Sequence, residues 1–183
     1  MSPASRCRTT AAVIALLSAG TGATLPWALA VATPLPTAAT EPFPVLSRER
    51  LGPLRIGSTA AEVRRAVACP IQRGPATLWA ADGALHQRWR APACGLELDL
   101  VSERPGPPPV VGSIRLGAPS PWRSAGGIGI GSPEAQVRRV YGADLNAQES
   151  QAGSLVVGSI YGGLIVTVRA GRVSGLFLGA AAE

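Results

Sequence analysis

Residues 52 to 65 read GPLRIGSTAAEVRR, and residues 126 to 139 read GGIGIGSPEAQVRR. Eight of the fourteen positions are identical at an offset of 74: Gly52, Ile56, Gly57, Ser58, Ala61, Val63, Arg64 and Arg65. Self-similarity at a fixed spacing is the mark of a duplicated structural unit. In each stretch a glycine and a serine precede apolar residues that recur at helical spacing. Val63, Ala66 and Val67 share one helical face, as do Val137, Val140 and Tyr141. Ser132 followed by Pro133 has the order of an N-cap and a first helical residue, where the missing proline N–H is harmless. Ser58 takes the same place in the first stretch, and Thr59 with Glu62 has the capping-box spacing one frame later. The pairs Arg64–Arg65 and Arg138–Arg139 then point away from the apolar face, as a solvated helix surface would.

Downstream of each helix the apolar period changes from helical to alternating. GLELDLV (95–101) resembles GLIVTVR (163–169), and SIRLGA (113–118) resembles GLFLGA (175–180). Leu96, Leu98 and Leu100 alternate with Glu97 and Asp99, the pattern of a half-buried strand. In HQRWRA, His86, Arg88 and Arg90 fall on one side and Trp89 on the other. Val168 to Arg172, VRAGR, reads as a tight hairpin in which Gly171 takes positive φ. Its counterpart in the first half is the longer, proline-rich turn SERPGPPP. These periods specify an α+β fold of two tandem repeats, each a helical segment packed on an antiparallel β-sheet. The first repeat is expected over residues 50–118 and the second over 126–183, with a linker at 119–125.

Toward the N-terminus, Arg6 and Arg8 precede the apolar run AAVIALL (11–17), small residues and Ala28-Leu29-Ala30. That order matches a secretory signal peptide over residues 1–30, cleaved after Ala30, with Ala39 as the second candidate site. An uncleaved membrane anchor is the alternative, although Gly20, Gly22 and Pro26 interrupt the apolar run. Residues 31–49 carry Pro34, Pro36, Pro42 and Pro44, a density that favours an extended tether.

The 183 residues contain 17 basic and 11 acidic side chains, and every basic one is arginine. Charged residues make up only 15% of the chain, against about 25% in an ordinary soluble domain. Cleavage would leave fifteen arginines against eleven acids, a charge of +4. The arginines are scattered and are not interleaved with aromatic residues in the manner that stacks bases, which argues against a nucleic-acid partner. Of three cysteines, Cys7 lies within the signal peptide, which leaves Cys69 and Cys94 as an even pair for an oxidising compartment. Closing that loop with a disulfide stabilises by roughly 3 kcal/mol on the chain-entropy account. A zinc site lacks ligands, since His86 is the one histidine.

The duplicated helix start (Gly57, Ser58, Val63; Gly131, Ser132, Val137, with Tyr141-Gly142 closing the second helix), followed by antiparallel strands, resembles the β-lactamase inhibitory protein group. It is also similar to single-domain envelope proteins of the SmpA/OmlA type. The resemblance covers roughly residues 50 to 180 and implies sheets aligned into one surface that grips a protein partner. The anchor cysteine of the lipoprotein type is missing, because Cys7 precedes the apolar core. No contact residue of the inhibitor group has a position that the motif assigns here.

Catalytic patterns are sparse. No G-x-S-x-G elbow, H-E-x-x-H or P-loop occurs. Gly127-Ile-Gly129-Ile-Gly131 lacks the spacing of a phosphate loop and reads as a structural turn. His86 reads as a lone surface histidine. The expected function is that of a non-enzymatic exported protein, a protein-binding or inhibitor-like module of the envelope or secreted fraction. A purely structural envelope protein and an extracytoplasmic hydrolase are the alternatives. The candidate binding residues are Arg88, Arg90, Arg115, Tyr161, Ile165 and Phe177 on the outer sheet face. The same residues would otherwise form cross-strand ion pairs in one half and domain packing in the other. No metal or cofactor is expected. The expected partner is another exported or envelope protein, with membrane contact only through the N-terminal segment if uncleaved.

Overall fold

A computed structural model describes residues 43–103, 106 and 108–181. The expected signal peptide with its two candidate cleavage sites, Cys7, and residues 31–42 of the expected tether lie outside them. The described chain forms three helices and seven strands: α1 (Pro44–Arg48), α2 (Ala60–Ala66), β1 (Gln72–Leu78), β2 (Leu85–Ala91), β3 (Leu96–Ser102), β4 (Val110–Gly117), α3 (Glu134–Tyr141), β5 (Ser154–Ser159), β6 (Gly162–Arg169) and β7 (Arg172–Gly179). All seven strands join one antiparallel sheet in the order β1-β2-β3-β4-β7-β6-β5.

Alternation decides which face of the sheet each residue takes. Leu96, Leu98 and Leu100 of β3 are buried with Ile114 and Leu116 of β4 and Leu176 and Leu178 of β7. Val63 and Val67 at α2, and Val137 and Tyr141 of α3, join them in one hydrophobic core. The helices thus cover one face. Burial of this kind contributes about 1.5–3 kcal/mol for each large aliphatic side chain. Val140 departs from the expected stripe and is 41% exposed. It lies over Gly126, which has no side chain to cover it.

The helix starts differ in one detail from the sequence expectation. Thr59 caps α2 through a complete capping box with Glu62. Ser132 does not cap α3; Pro133 occupies the cap position without a side-chain bond. The Ser132 hydroxyl instead accepts from the Gly129 amide at 3.1 Å, as Ser58 accepts from Arg55 at 3.2 Å. Each serine sits one residue too early to reach the helix amides and satisfies the preceding turn. Backbone bonds around the two serines also correspond. Gly57 donates to Val111 and Val111 to Ser58; Gly131 donates to Val173 and Val173 to Ser132, all at 2.8 Å. The β6–β7 hairpin closes through Ala170 (φ 49°) and Gly171 (φ 70°), the primed turn that the twist of paired strands favours.

The tether expected over residues 31–49 does not extend through Pro44–Arg48, which form a helix. Proline is tolerated at the first helical position. Gly158 and Gly162 leave room for Val45 and Phe43 to pack, where a Cβ would collide with them. Glu49 follows at 4% exposure, and its carboxylate accepts from the amides of Ala125 (2.6 Å) and Arg50 (2.9 Å). The Tyr141 hydroxyl donates to it at 2.6 Å and also lies 2.7 Å from Ser124 Oγ. The 119–125 connection is therefore packed into the domain, with Ser120 and Ser124 buried. Burial and the neighbouring Glu49 carboxylate push the Tyr141 phenol far up, so it remains a neutral donor. Tyr141→Phe should lower stability by about 2 kcal/mol, because the removed donor served a buried carboxylate. Urea unfolding would read this as a lower midpoint at unchanged slope.

Cys69, just after α2, is disulfide-bonded to Cys94, just before β3, with Cα atoms 6.0 Å apart and 25 residues between them in sequence. Reduction should lower stability by about 3 kcal/mol. Thiol labelling of the denatured, unreduced chain from Val31 onward should find no free thiol, and two would refute the bond. Among the described residues, no helix is long and apolar enough to cross a membrane.

Candidate binding face

The face of the sheet opposite α2 and α3 carries the side chains that alternate out of the core. Strands β2 and β3 contribute His86, Arg88, Arg90, Glu97 and Asp99; β4 contributes Ser113 and Arg115. Strands β6 and β7 contribute Ile165, Thr167 and Phe177. A groove of about 790 Å³ crosses this face, walled by Trp79 and Asp82 at one end and reaching Ile165 and Phe177 at the other.

The groove has a charged half and an apolar half, and the β4–β7 pairing joins them. Glu97 is held by Arg90 at 2.8 Å and faces Arg88 at 3.7 Å. These are the cross-strand ion pairs that alternation made possible. Exposed pairs of this kind contribute little to stability, typically below about 1 kcal/mol. Arg115 lies opposite both Glu97 on β3 and Phe177 on β7 in the sheet register. Its guanidinium stands 5.1 Å above the Phe177 ring, in cation–π range. Beyond Phe177 the row continues through Ile165 to Val156.

Arg88, Arg115, Ile165 and Phe177 therefore line one groove, and Arg90 stands beside them on the same face. Tyr161 does not join them. It is 53% exposed in the turn between β5 and β6, where strand alternation no longer dictates direction. Phe177 and Ile165 are only partly buried. They are not buried between two separate sheets, because β4 and β7 hydrogen-bond edge to edge in a single sheet.

His86 corrects a second expectation. It is no lone surface histidine: it is 8% exposed and bridges two carboxylates. Nδ1 lies 2.5 Å from Asp99 Oδ2 and Nε2 lies 2.8 Å from Asp82 Oδ2. The Trp79 ring stacks on it at 3.8 Å with an interplanar angle of 8°. Burial works against the charged ring, yet the bonds to Asp82 and Asp99 outweigh it and hold the His86 pKa above its ordinary value. The Ala84 amide and His86 hold the Asp82 carboxyl below its ordinary range. With both nitrogens engaged, His86 has no free position to take a proton from a nucleophile. Asp82 and Trp79 escaped sequence reasoning because they lie in the β1–β2 turn, outside any alternating run. The available signal was the four-residue spacing from Asp82 to His86 across a turn containing Gly83.

The glycine run before α3 offers no anion cradle. The amides of Gly126, Gly127, Ile128, Gly129 and Gly131 all donate to acceptors within the protein, among them Tyr141, Ser124 and Ser132. Among the described residues, no group of three or more His, Cys, Asp or Glu side chains is placed to hold a metal ion. Asp82 and Asp99 meet opposite edges of the imidazole ring and share no coordination point with it. Compared with known proteins, the chain matches no protein family, no curated relative and no solved structure.

Proposed function

We propose that the chain is an exported, non-catalytic binding module that grips a partner protein with the open face of its sheet. The observation that carries this is the groove itself. It is a rigid, strand-built surface with arginines and carboxylates on one half and Phe177 with Ile165 on the other. Aromatic and arginine side chains that share a patch are the usual anchors of a protein interface. Export by a cleaved signal peptide at residues 1–30 accords with the Cys69–Cys94 disulfide, a bond typical of oxidising compartments.

The likeness to the β-lactamase inhibitory protein group belongs to the same proposal, as does the reading of the chain as two tandem units. Three features support the duplication beyond the shared helix start. The serine turns make equivalent backbone bonds. The sheet register shifts between Asp99 and Leu100 on β3 and between Thr167 and Val168 on β6, which are equivalent positions in the aligned halves. Arg115 pairs with Phe177, its own equivalent, so a local two-fold axis would pass between them.

The test uses the chain from Val31 onward, immobilised and exposed to envelope and secreted extracts, with any captured protein then purified. Hydrogen exchange of that complex should show protection on β3, β4, β6 and β7. Protection confined to residues 126–131 or to the helices would reject the open face.

A further inference from the structure

We infer that the Asp82–His86–Asp99 bridge is a proton-operated latch that holds the β1–β2 turn, and Trp79 with it, against the open face of the sheet. The latch stands on its own geometry; only its consequence for binding rests on the function proposed above. A neutral imidazole has one N–H and donates to one acceptor, whereas imidazolium donates from both nitrogens. In this protein both nitrogens face carboxylate oxygens, at 2.5 and 2.8 Å. Only the protonated ring satisfies both. In the neutral ring one lone pair would oppose a carboxylate oxygen, and one of the two bonds would be lost.

The two carboxylates belong to different parts of the fold. Asp99 is on β3, in the sheet interior, paired in register with Arg88 and Ser113. Asp82 is in the turn between β1 and β2, which closes through the Trp79–Ala84 and Gly83–Trp79 backbone bonds, both at 2.9 Å. Asp82 is exposed and binds the body of the sheet through His86, its other bond being to Ala84 within the same turn. The Trp79 ring lies flat on the imidazole. The turn therefore carries one wall of the groove, and His86 fastens that wall down.

The charges around His86 fix the sign. The turn presents Asp82 and β3 presents Asp99, with Glu97 further along the same strand; β2 presents Arg88, with Arg90 beyond it, and β4 presents Arg115. On β1 the register partner of His86 is Thr77, which carries no charge. The two carboxylates in direct contact outweigh the more distant arginines, consistent with a His86 pKa held above its ordinary value. A raised folded-state pKa gives stabilisation that is complete below about 6.5, the unfolded value, and disappears as pH rises through the folded value. With both carboxylates ionised, the latch is closed below the ordinary histidine value and opens as pH rises through the raised value of His86.

His86 is the chain's one histidine, so its ring nitrogens are read by NMR without ambiguity. In the whole chain from Val31 onward, both nitrogens should be protonated below about 6.5, the ordinary value, and the ring should titrate above it. Across that titration, exchange of the 79–84 amides, corrected for its intrinsic pH dependence, should rise about tenfold, the effect of one charged hydrogen bond. Asp82→Asn replaces an exposed side chain. Its amide accepts through oxygen or donates through nitrogen, so it suits either state of the ring. In that variant the His86 midpoint should fall and the pH step in turn exchange should vanish, while amides of the other strands keep their shifts. A wild-type ring that titrates at or below about 6.5, the ordinary value, or turn exchange that ignores the His86 titration, overturns the latch. Turn exchange that follows His86 while partner affinity stays flat across the same pH range supports the latch and rejects the open face as the binding surface.

Discussion

Gly95→Ala should destabilise the protein by at least about 4 kcal/mol and in most expression conditions prevent its folding. Gly95 ends the single turn of 3₁₀ helix at Pro92–Cys94 and enters β3 in the left-handed conformation, at φ 58°. A Cβ there would overlap the Gly117 carbonyl oxygen and lie 2.8 Å from the Ser120 amide nitrogen, both backbone atoms that cannot swing aside. The Gly117 amide donates to the Gly95 carbonyl at 2.9 Å, so movement of either strand breaks the β3–β4 start. Gly57→Ala is the control. Gly57 also has positive φ, at 83°, but a Cβ there meets nothing within 4 Å. It should cost only the left-handed backbone term, about 1 kcal/mol. Thermal unfolding of the two variants separates them; equal melting temperatures would show that the Gly117 contact yields.

Phe177→Ala combined with Arg88→Ala should weaken partner binding by about 4 kcal/mol, roughly a thousandfold in affinity. Phe177 supplies apolar area at its end of the groove and carries Arg115 on its ring, so truncating it removes an anchor and loosens a second. Arg88 stands on the charged half, where it would set orientation and association rate. Neither side chain belongs to the buried core, so unfolding of the double variant should stay within about 1 kcal/mol of the parent. Arg138→Ala, on the exposed side of α3 and paired with Glu134, serves as the binding control. Calorimetric titration against a captured partner decides the matter. An affinity unchanged in the double variant would remove the open face as the binding surface.

What the sequence determined by itself was local or left few choices. The Thr59–Glu62 capping box needs only three-residue spacing, and it formed as that spacing predicts. The phase of β3 follows from leucines alternating with acids, because a strand turns successive side chains to opposite faces. The VRAGR hairpin and the Cys69–Cys94 bond were equally legible, the first from turn chemistry and the second because, with Cys7 assigned to the expected signal peptide, the two other cysteines admit one pairing. The same alternation placed Arg88, Arg90, Arg115, Ile165 and Phe177 on one face. It failed for Tyr161, which sits in a turn where the period of two ends.

The tertiary structure alone decided which edges meet and which charges become neighbours. Nothing in the periodicity of β4 or β7 selects one as the partner of the other, yet that pairing sets Arg115 over Phe177 and leaves the face open. His86 shows the same limit. Its strand phase was correct, but its burial depends on Asp99 from the neighbouring strand and on a turn that folds Trp79 and Asp82 back over it. The helix at Pro44–Arg48 likewise exists because Gly158 and Gly162, more than a hundred residues away, leave space for Val45 and Phe43. Period and capping are properties of a segment; pairing, desolvation and charge partners are properties of the segments it meets, and those are chosen only when the chain closes on itself.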